Sequence, residues 1–107
     1  ADLAGVLGRC PQLTSLELSH IGMGERGARR LSEGLERCPW LTHLNLSWNT
    51  LGAQGLLGLG GGLQACSSLL RLNLRGSALD DEGACVLAHA LKHCPALAHL
   101  DLGENFI

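Results

Sequence analysis

Leucines along the chain recur two residues apart and then four residues apart, in a cycle that restarts every 28 residues. One full cycle shows Leu41, Leu44, Leu46 and Leu51, followed by Gly55, Leu59, Leu63 and Cys66. A spacing of two is the period of a strand, whose side chains alternate between faces. A spacing of four is the period of a helix. The cycle predicts a short strand, a turn, and a helix of about three turns, repeated. The preceding cycle reads Leu13, Leu16, Leu18, Met23, Gly27, Leu31, Leu35. The following one reads Leu69, Leu72, Leu74, Leu79, Gly83, Leu87, Leu91. The last reads Leu97, Leu100, Leu102, Asn105 and stops at Ile107. Cys10, Cys38, Cys66 and Cys94 mark the same phase, and Pro11, Pro39 and Pro95 follow three of them, where they stop the helices.

The motif Leu41-x-x-Leu44-x-Leu46-x-x-Asn49-x-Leu51 resembles the leucine-rich repeat, L-x-x-L-x-L-x-x-N-x-L. The resemblance covers nearly the whole chain. The long, helix-bearing unit is similar to the ribonuclease-inhibitor subtype. It implies an α/β fold: a right-handed leucine-rich repeat solenoid, a horseshoe with a parallel sheet on the concave side and helices on the convex side. The array divides into a partial unit over 1–10, repeats over 11–38, 39–66 and 67–94, and a partial unit over 95–107. Leu3, Leu7 and Cys10 are in phase with Leu31, Leu35 and Cys38, so residues 1–10 read as the end of a repeat helix. Neither end carries a polar capping repeat, and the expectation is an excerpt of a longer array.

In the family, the asparagine of each repeat turns inward and bonds backbone groups of the strand-to-helix loop. Asn49 and Asn105 match, whereas Ile21 and Ser77 stand at that phase in the other two units. Serine can make part of the bonding and isoleucine none, so the first-repeat loop is expected to be the less regular one. Gly27, Gly55 and Gly83 share a phase near each helix start, and a small residue there is expected to let the helix lie against the neighbouring repeat. Asp80-Asp81-Glu82 read as a helix cap, since negative charge is favourable at a helix N-terminus. Gly55, Gly58, Gly60, Gly61 and Gly62 crowd one helix; each interior glycine costs roughly 0.5–1 kcal/mol against alanine, and the segment reads as a weak, mobile helix. It lacks the Lys-Ser/Thr of a phosphate loop.

Apolar residues at 46% and charged residues at 17% describe a globular composition. A net charge of −2 with signs interspersed gives no footprint for nucleic acid or an anionic membrane. No run approaches the ~18 apolar residues of a membrane span, and Ala1-Asp2-Leu3-Ala4-Gly5-Val6-Leu7 lacks the basic region and cleavage site of a signal peptide. The in-phase cysteines have neither the local spacing of zinc ligands nor, at a helix packing distance of roughly 9–10 Å, the reach of a disulfide, which needs Cα atoms within ~7 Å. They read as a column of buried thiols, and free thiols suit a reducing compartment, cytoplasm or nucleus.

Side chains between the strand leucines leave the sheet on its open face. They form columns: Ser15, His43, Arg71, His99; then Glu17, Asn45, Asn73, Asp101; then Ser19, Ser47, Arg75, Gly103; and at the rim His20, Trp48, Gly76, Glu104. The columns are polar and differ from repeat to repeat while the leucines hold constant. That pattern makes Glu17, His43, Asn45, Trp48, Arg71, Asn73, Arg75, His99 and Asp101 the candidate protein-binding residues. Trp and Arg are enriched at binding hot spots. Trp48 reads either as an exposed anchor or as a ring folded over the next repeat's loop, and Trp40 as a cover for the core edge at the outer rim. His43 and His99 stand two strands apart, near ~10 Å, too far to share one metal ion. No nucleophile beside a histidine with an orienting acid suggests an enzyme. Arg29 and Arg30 read as a solvated patch on an outer helix face. No cofactor is indicated.

The cysteine-proline junctions and the 28-residue unit resemble the C-terminal repeats of NOD-like receptors. That resemblance implies a non-catalytic protein-interaction module, the ligand-sensing or autoinhibitory region of a cytosolic innate-immune sensor, with neighbouring domains outside this chain. The alternatives are a ribonuclease-inhibitor-like protein that binds a ribonuclease, for which Glu17, Asp101 and Glu104 offer acidic contacts interrupted by Arg71 and Arg75, and a leucine-rich-repeat regulator of a GTPase.

Overall fold

A computed structural model describes residues 3–107; Ala1 and Asp2, at the start of the partial unit expected over 1–10, lie outside the described residues. Helices and strands alternate: α1 (Leu3–Gly8), β1 (Ser15–Glu17), α2 (Glu25–Leu35), β2 (His43–Asn45), α3 (Gly52–Ala65), β3 (Arg71–Asn73), α4 (Asp81–Leu91) and β4 (His99–Asp101). The strands form one parallel sheet in the order β1-β2-β3-β4. Its register follows the sequence period: Ser15 pairs with His43, His43 with Arg71 and Arg71 with His99. Each strand is three residues long. The ladder continues beyond it in both directions, with the Leu46 N–H donating to Asn73 O at 2.9 Å and the Leu70 N–H to Thr42 O at 2.8 Å.

The repeating leucines fill the space between the sheet and a row of helices in which α1 packs on α2, α2 on α3 and α3 on α4. Leu31, Leu35, Leu41, Leu44, Leu46, Leu59, Leu63, Leu69, Leu72 and Leu74 are all buried. Burying one such side chain contributes roughly 1.5–3 kcal/mol. A single strand or helix of this length cannot cover its own leucines, so each repeat's core depends on the repeats on either side.

The helix glycines differ in what surrounds them. A Cβ at Gly27, Gly55 or Gly83 would meet Met23, Leu51 or Leu79 of the same repeat, at 2.8, 2.9 and 3.2 Å. Those positions therefore admit the loop's own apolar side chain, and the expected contact with a neighbouring repeat is made elsewhere. It is made at Gly34 of α2, where a Cβ would lie 2.6 Å from the Leu7 side chain and 3.3 Å from the Ala4 backbone, and in α3. A Cβ at Gly62 would lie 2.7 Å from the Ser32 backbone, and one at Gly58 would lie 2.9 Å from the Arg29 side chain. The Gly62 N–H donates to Ser32 Oγ at 2.7 Å, which satisfies a buried hydroxyl of α2. The glycine-rich segment is a continuous helix of 14 residues, against 11 for α2 and α4. Its missing side chains allow close approach, which offsets part of their cost in helix propensity.

The asparagine positions act one repeat upstream. Asn49 Oδ1 accepts from the Ile21 and Met23 N–H groups at 3.2 and 3.0 Å, and Asn49 Nδ2 donates to Leu18 O and Leu46 O at 2.9 and 3.0 Å. Asn105 repeats the arrangement for Ser77, Leu79, Leu74 and Leu102. The first-repeat loop is thus held by Asn49, and Ile21 at its own phase does it no harm. The departure falls on the second loop, below Ser77. Loops one and three place their second left-handed residue at Gly22 and Ala78, whereas loop two places it at Gly52. The residue preceding α3, Leu51, is helical in backbone, while Gly24 and Asp80 at the same place are extended. Serine is too short to reach that loop: its Oγ is buried without a partner, and its carbonyl takes the Gly52 N–H instead, at 3.0 Å. Before α4, Asp80 caps the helix as expected, accepting from the Gly83 N–H at 2.9 Å.

Two glycine substitutions separate close packing from propensity. A methyl group added at Gly60 would meet nothing within 4 Å, so Gly60→Ala is expected to raise unfolding stability by about 0.5–1 kcal/mol. Gly62→Ala is expected to lower it by about 1–3 kcal/mol through overpacking against Ser32. Urea unfolding of both variants checks the opposite signs.

Candidate functional site

The open face of the sheet is built by the alternation along each strand. Leu44 and Leu72 point into the core, and the residues on either side point out. Parallel, in-register pairing then sets equivalent residues in rows about 4.8 Å apart. Ser15, His43, Arg71 and His99 make one row, and Glu17, Asn45, Asn73 and Asp101 the next. Together they line an open hollow of about 680 Å³.

The structure gives these side chains different amounts of freedom. Asn45, Asn73 and Asp101 turn back on the chain: each Oδ1 accepts the N–H two residues ahead, from Ser47, Arg75 and Gly103, at 2.9, 3.0 and 2.9 Å. The amide Nδ2 groups of Asn45 and Asn73 are not used in these turns. Glu17 accepts from the Ser19 hydroxyl at 3.0 Å. Arg75 lies between two carboxylates, 3.6 Å from Asp101 and 3.6 Å from Glu104, so its charge is already matched within the chain. Arg71 is exposed and has no ion pair among the described residues. His43 and His99 are exposed on either side of it. Thr42 Oγ1 donates to Thr14 O at 3.0 Å and lies 2.8 Å from His43 Nδ1. A hydroxyl has one proton, so with that proton on Thr14 O it accepts from Nδ1–H, and Nε2 stays unspent by this contact.

At the rim, Trp48 adopts the left-handed backbone conformation, with φ at 59°, as do His20 and Glu104, and Gly76 occupies the same phase. One face of the indole stacks on His20, ring centroids 5.8 Å apart and planes inclined by 18°. The other covers Gly76, where a Cβ would collide with the ring. Of the two readings for Trp48, the ring folded over the next repeat's loop is the one observed, although 44% of the residue stays exposed. Ser47, in the third column, is buried and does not belong to the open face. Trp40 is 62% exposed and covers no core edge, because Leu41 is already fully enclosed by the stacked repeats.

The Arg75 clamp and the three side-chain turns are not among the features expected from the sequence. Their signal lies in the two-residue spacing of Asn45-x-Ser47, Asn73-x-Arg75 and Asp101-x-Gly103, a pattern in which Asn and Asp hydrogen-bond their own backbone. The arrangement brings His43, Arg71 and His99 together in one row but, among the described residues, joins no acid to either histidine.

The five cysteines are free thiols. Cys38, Cys66 and Cys94 form the buried column, with Cys66 Sγ donating to Gly62 O at 3.3 Å and Cys94 Sγ to Leu63 O at 3.2 Å. Cys10, expected in the same column, is exposed, because among the described residues no helix packs on the other side of α1. Loss of solvation pushes the Cys66 thiol from its ordinary value of 9.0 up to about 12, helped by repulsion from Cys94 and Cys38. Burial raises Cys38 and Cys94 as well, and the neighbouring Cys10 adds to the shift at Cys38. Among the described residues no His, Cys, Asp or Glu group is arranged to hold a metal ion, and no helix is long and apolar enough to cross a membrane.

A family profile described as Leucine Rich repeat matches residues 37–60 and 65–88, the segments that carry β2, β3 and most of α3 and α4. A search of curated proteins finds no match to the chain. The two repeat matches, with four parallel strands and intervening helices, support a leucine-rich repeat domain and an α/β fold consistent with a leucine-rich repeat solenoid.

The buried column gives two expectations. In the native protein Cys10 and Cys85 react with a thiol reagent, while Cys38, Cys66 and Cys94 react only after unfolding, as a titration with and without guanidinium would show. A thiol whose folded value is raised favours the folded state below the unfolded value and loses that advantage as pH rises. Stability is therefore level below pH 9.0 for this group and falls from there toward about 12, at up to ~1.4 kcal/mol per pH unit for Cys66. Guanidinium unfolding across that range checks the slope.

Proposed function

We propose that this repeat array is a non-catalytic protein-interaction module that meets its partner on the concave, strand-lined face. Leucine-rich repeats typically bind proteins, and one observation supports this face in particular. In-register rows of His43, Arg71 and His99, and of Glu17, Asn45, Asn73 and Asp101, present a different polar side chain from each repeat over an unchanging leucine core. A solenoid extends such rows without closing a pocket, which suits a long protein contact.

Within that reading, the array is of the ribonuclease-inhibitor-like, right-handed horseshoe kind and most resembles the C-terminal repeats of NOD-like receptors. There it serves as the ligand-sensing or autoinhibitory region beside domains outside this chain. The free thiols favour the cytoplasm, or the nucleus, as its compartment. The alternative of a ribonuclease-binding scavenger is less well supported, because two of its acidic contacts, Asp101 and Glu104, are engaged by Arg75.

Glu17, Arg71 and His99 are exposed and none of them caps or packs against another repeat, so the variant Glu17→Ala/Arg71→Ala/His99→Ala is expected to fold normally by circular dichroism. In affinity capture from cytosolic extract, a partner held by the native array is expected to be lost from this variant. Equal capture by both would move the site to the helices.

A further inference from the structure

The open face has an internal charge order that narrows the partner's chemistry, on the premise that the partner binds there. Its carboxylates stand at the two ends of the sheet, Glu17 on β1, Asp101 on β4 and Glu104 just after it. Two of them are turned toward Arg75, and the third accepts from Ser19. The centre is different. Arg71 stands on β3 with no ion pair among the described residues, and the register places His43 and His99 directly beside it on β2 and β4, each about 4.8 Å away in backbone spacing. In the adjoining row, the Asn45 and Asn73 carbonyl oxygens each accept one backbone N–H, from Ser47 and Arg75, and their amide N–H groups take no part in those turns. The centre of the face thus carries one cation without an ion pair among the described residues, Arg71, with two imidazoles and two amide groups around it.

We infer that the partner seats a carboxylate side chain of an extended segment on Arg71, between His43 and His99, with its peptide carbonyls taken by the Asn45 and Asn73 amides. A guanidinium and a carboxylate form a charge-assisted, bidentate pair, which a lysine or a neutral amide cannot replace. His43 and His99 flank that pair, and a ring N–H of either can donate to the same carboxylate.

The test uses the whole chain and three short fluorescein-labelled peptides, alternating Glu-Ser, Gln-Ser and Lys-Ser, read by fluorescence anisotropy. The Glu-Ser peptide is expected to bind at least about tenfold more tightly than the Gln-Ser peptide, the difference one charge-assisted bond makes. Binding should weaken with salt. Arg71→Gln should remove the preference for Glu while leaving the circular dichroism spectrum unchanged, and Arg29→Gln, on the helix side, should leave it intact. In the nitrogen-resolved NMR spectrum, the Glu-Ser peptide should shift the Arg71 Nε–H and the His43 and His99 rings. Equal binding of the Glu and Gln peptides, or a preference that survives Arg71→Gln, overturns the inference. If the open-face variant loses the cellular partner while no acidic preference is found, the acidic contact is wrong and the functional reading stands. If capture is indifferent to that variant, the functional reading fails first.

Discussion

Backbone groups in the strand-to-helix loops must be satisfied by a side chain that the loop itself does not carry. Ile21 and Met23 give their N–H groups to Asn49, and Ser77 and Leu79 give theirs to Asn105, in each case an amide from the following repeat. Buried backbone donors left unpaired cost about 1–3 kcal/mol each, so a loop that loses its asparagine does not keep its shape. The same amide that closes one loop also donates to the carbonyls at the ends of two strands, and so ties β1 to β2 and β3 to β4, while β2 and β3 keep the same register without one.

Apolar packing works within the frame that these bonds define. The leucines are interchangeable from repeat to repeat, but the helices are not. α3 approaches α2 closely enough that Gly62 lies against the backbone of Ser32, and the exchange of a hydroxyl for an N–H partner there turns a buried polar group into a contact between repeats. A run of glycines that weakens the isolated helix therefore suits the stacked one. The cysteines add a further apolar column, and the same dense stacking suppresses the ionisation of its thiols.

Much of this is legible in the chain because a period of 28 residues fixes register as well as element type. The spacing of Leu44 to Leu46 and of Leu59 to Leu63 locates strand and helix, and the row of Ser15, His43, Arg71 and His99 follows by counting. What counting does not reveal is direction. Counting assigns a loop-bonding asparagine to its own repeat, whereas its side chain reaches the loop before it, so the irregular loop is expected beside Ile21 and is found below Ser77. Exposure is also hidden. Trp40 reads as a cover, and Trp48 offers two readings; a sequence cannot say which side of a ring meets another repeat until the loops are placed. On the open face, the pairing of Arg75 with Asp101 and Glu104 removes one of two apparent cations and leaves Arg71 as the one whose charge is unanswered there.

The bridging asparagines hold the first and third strand-to-helix loops. Native-state hydrogen exchange of an Asn49→Ala variant tests them within one molecule, because the Asn105 loop is an internal control. The amides of Ile21 and Met23 are expected to lose protection selectively, while those of Ser77 and Leu79 exchange only as fast as the lowered global stability requires. A uniform loss at both loops, or retained protection at Ile21 and Met23, would contradict the claim that each loop is held by the repeat that follows it.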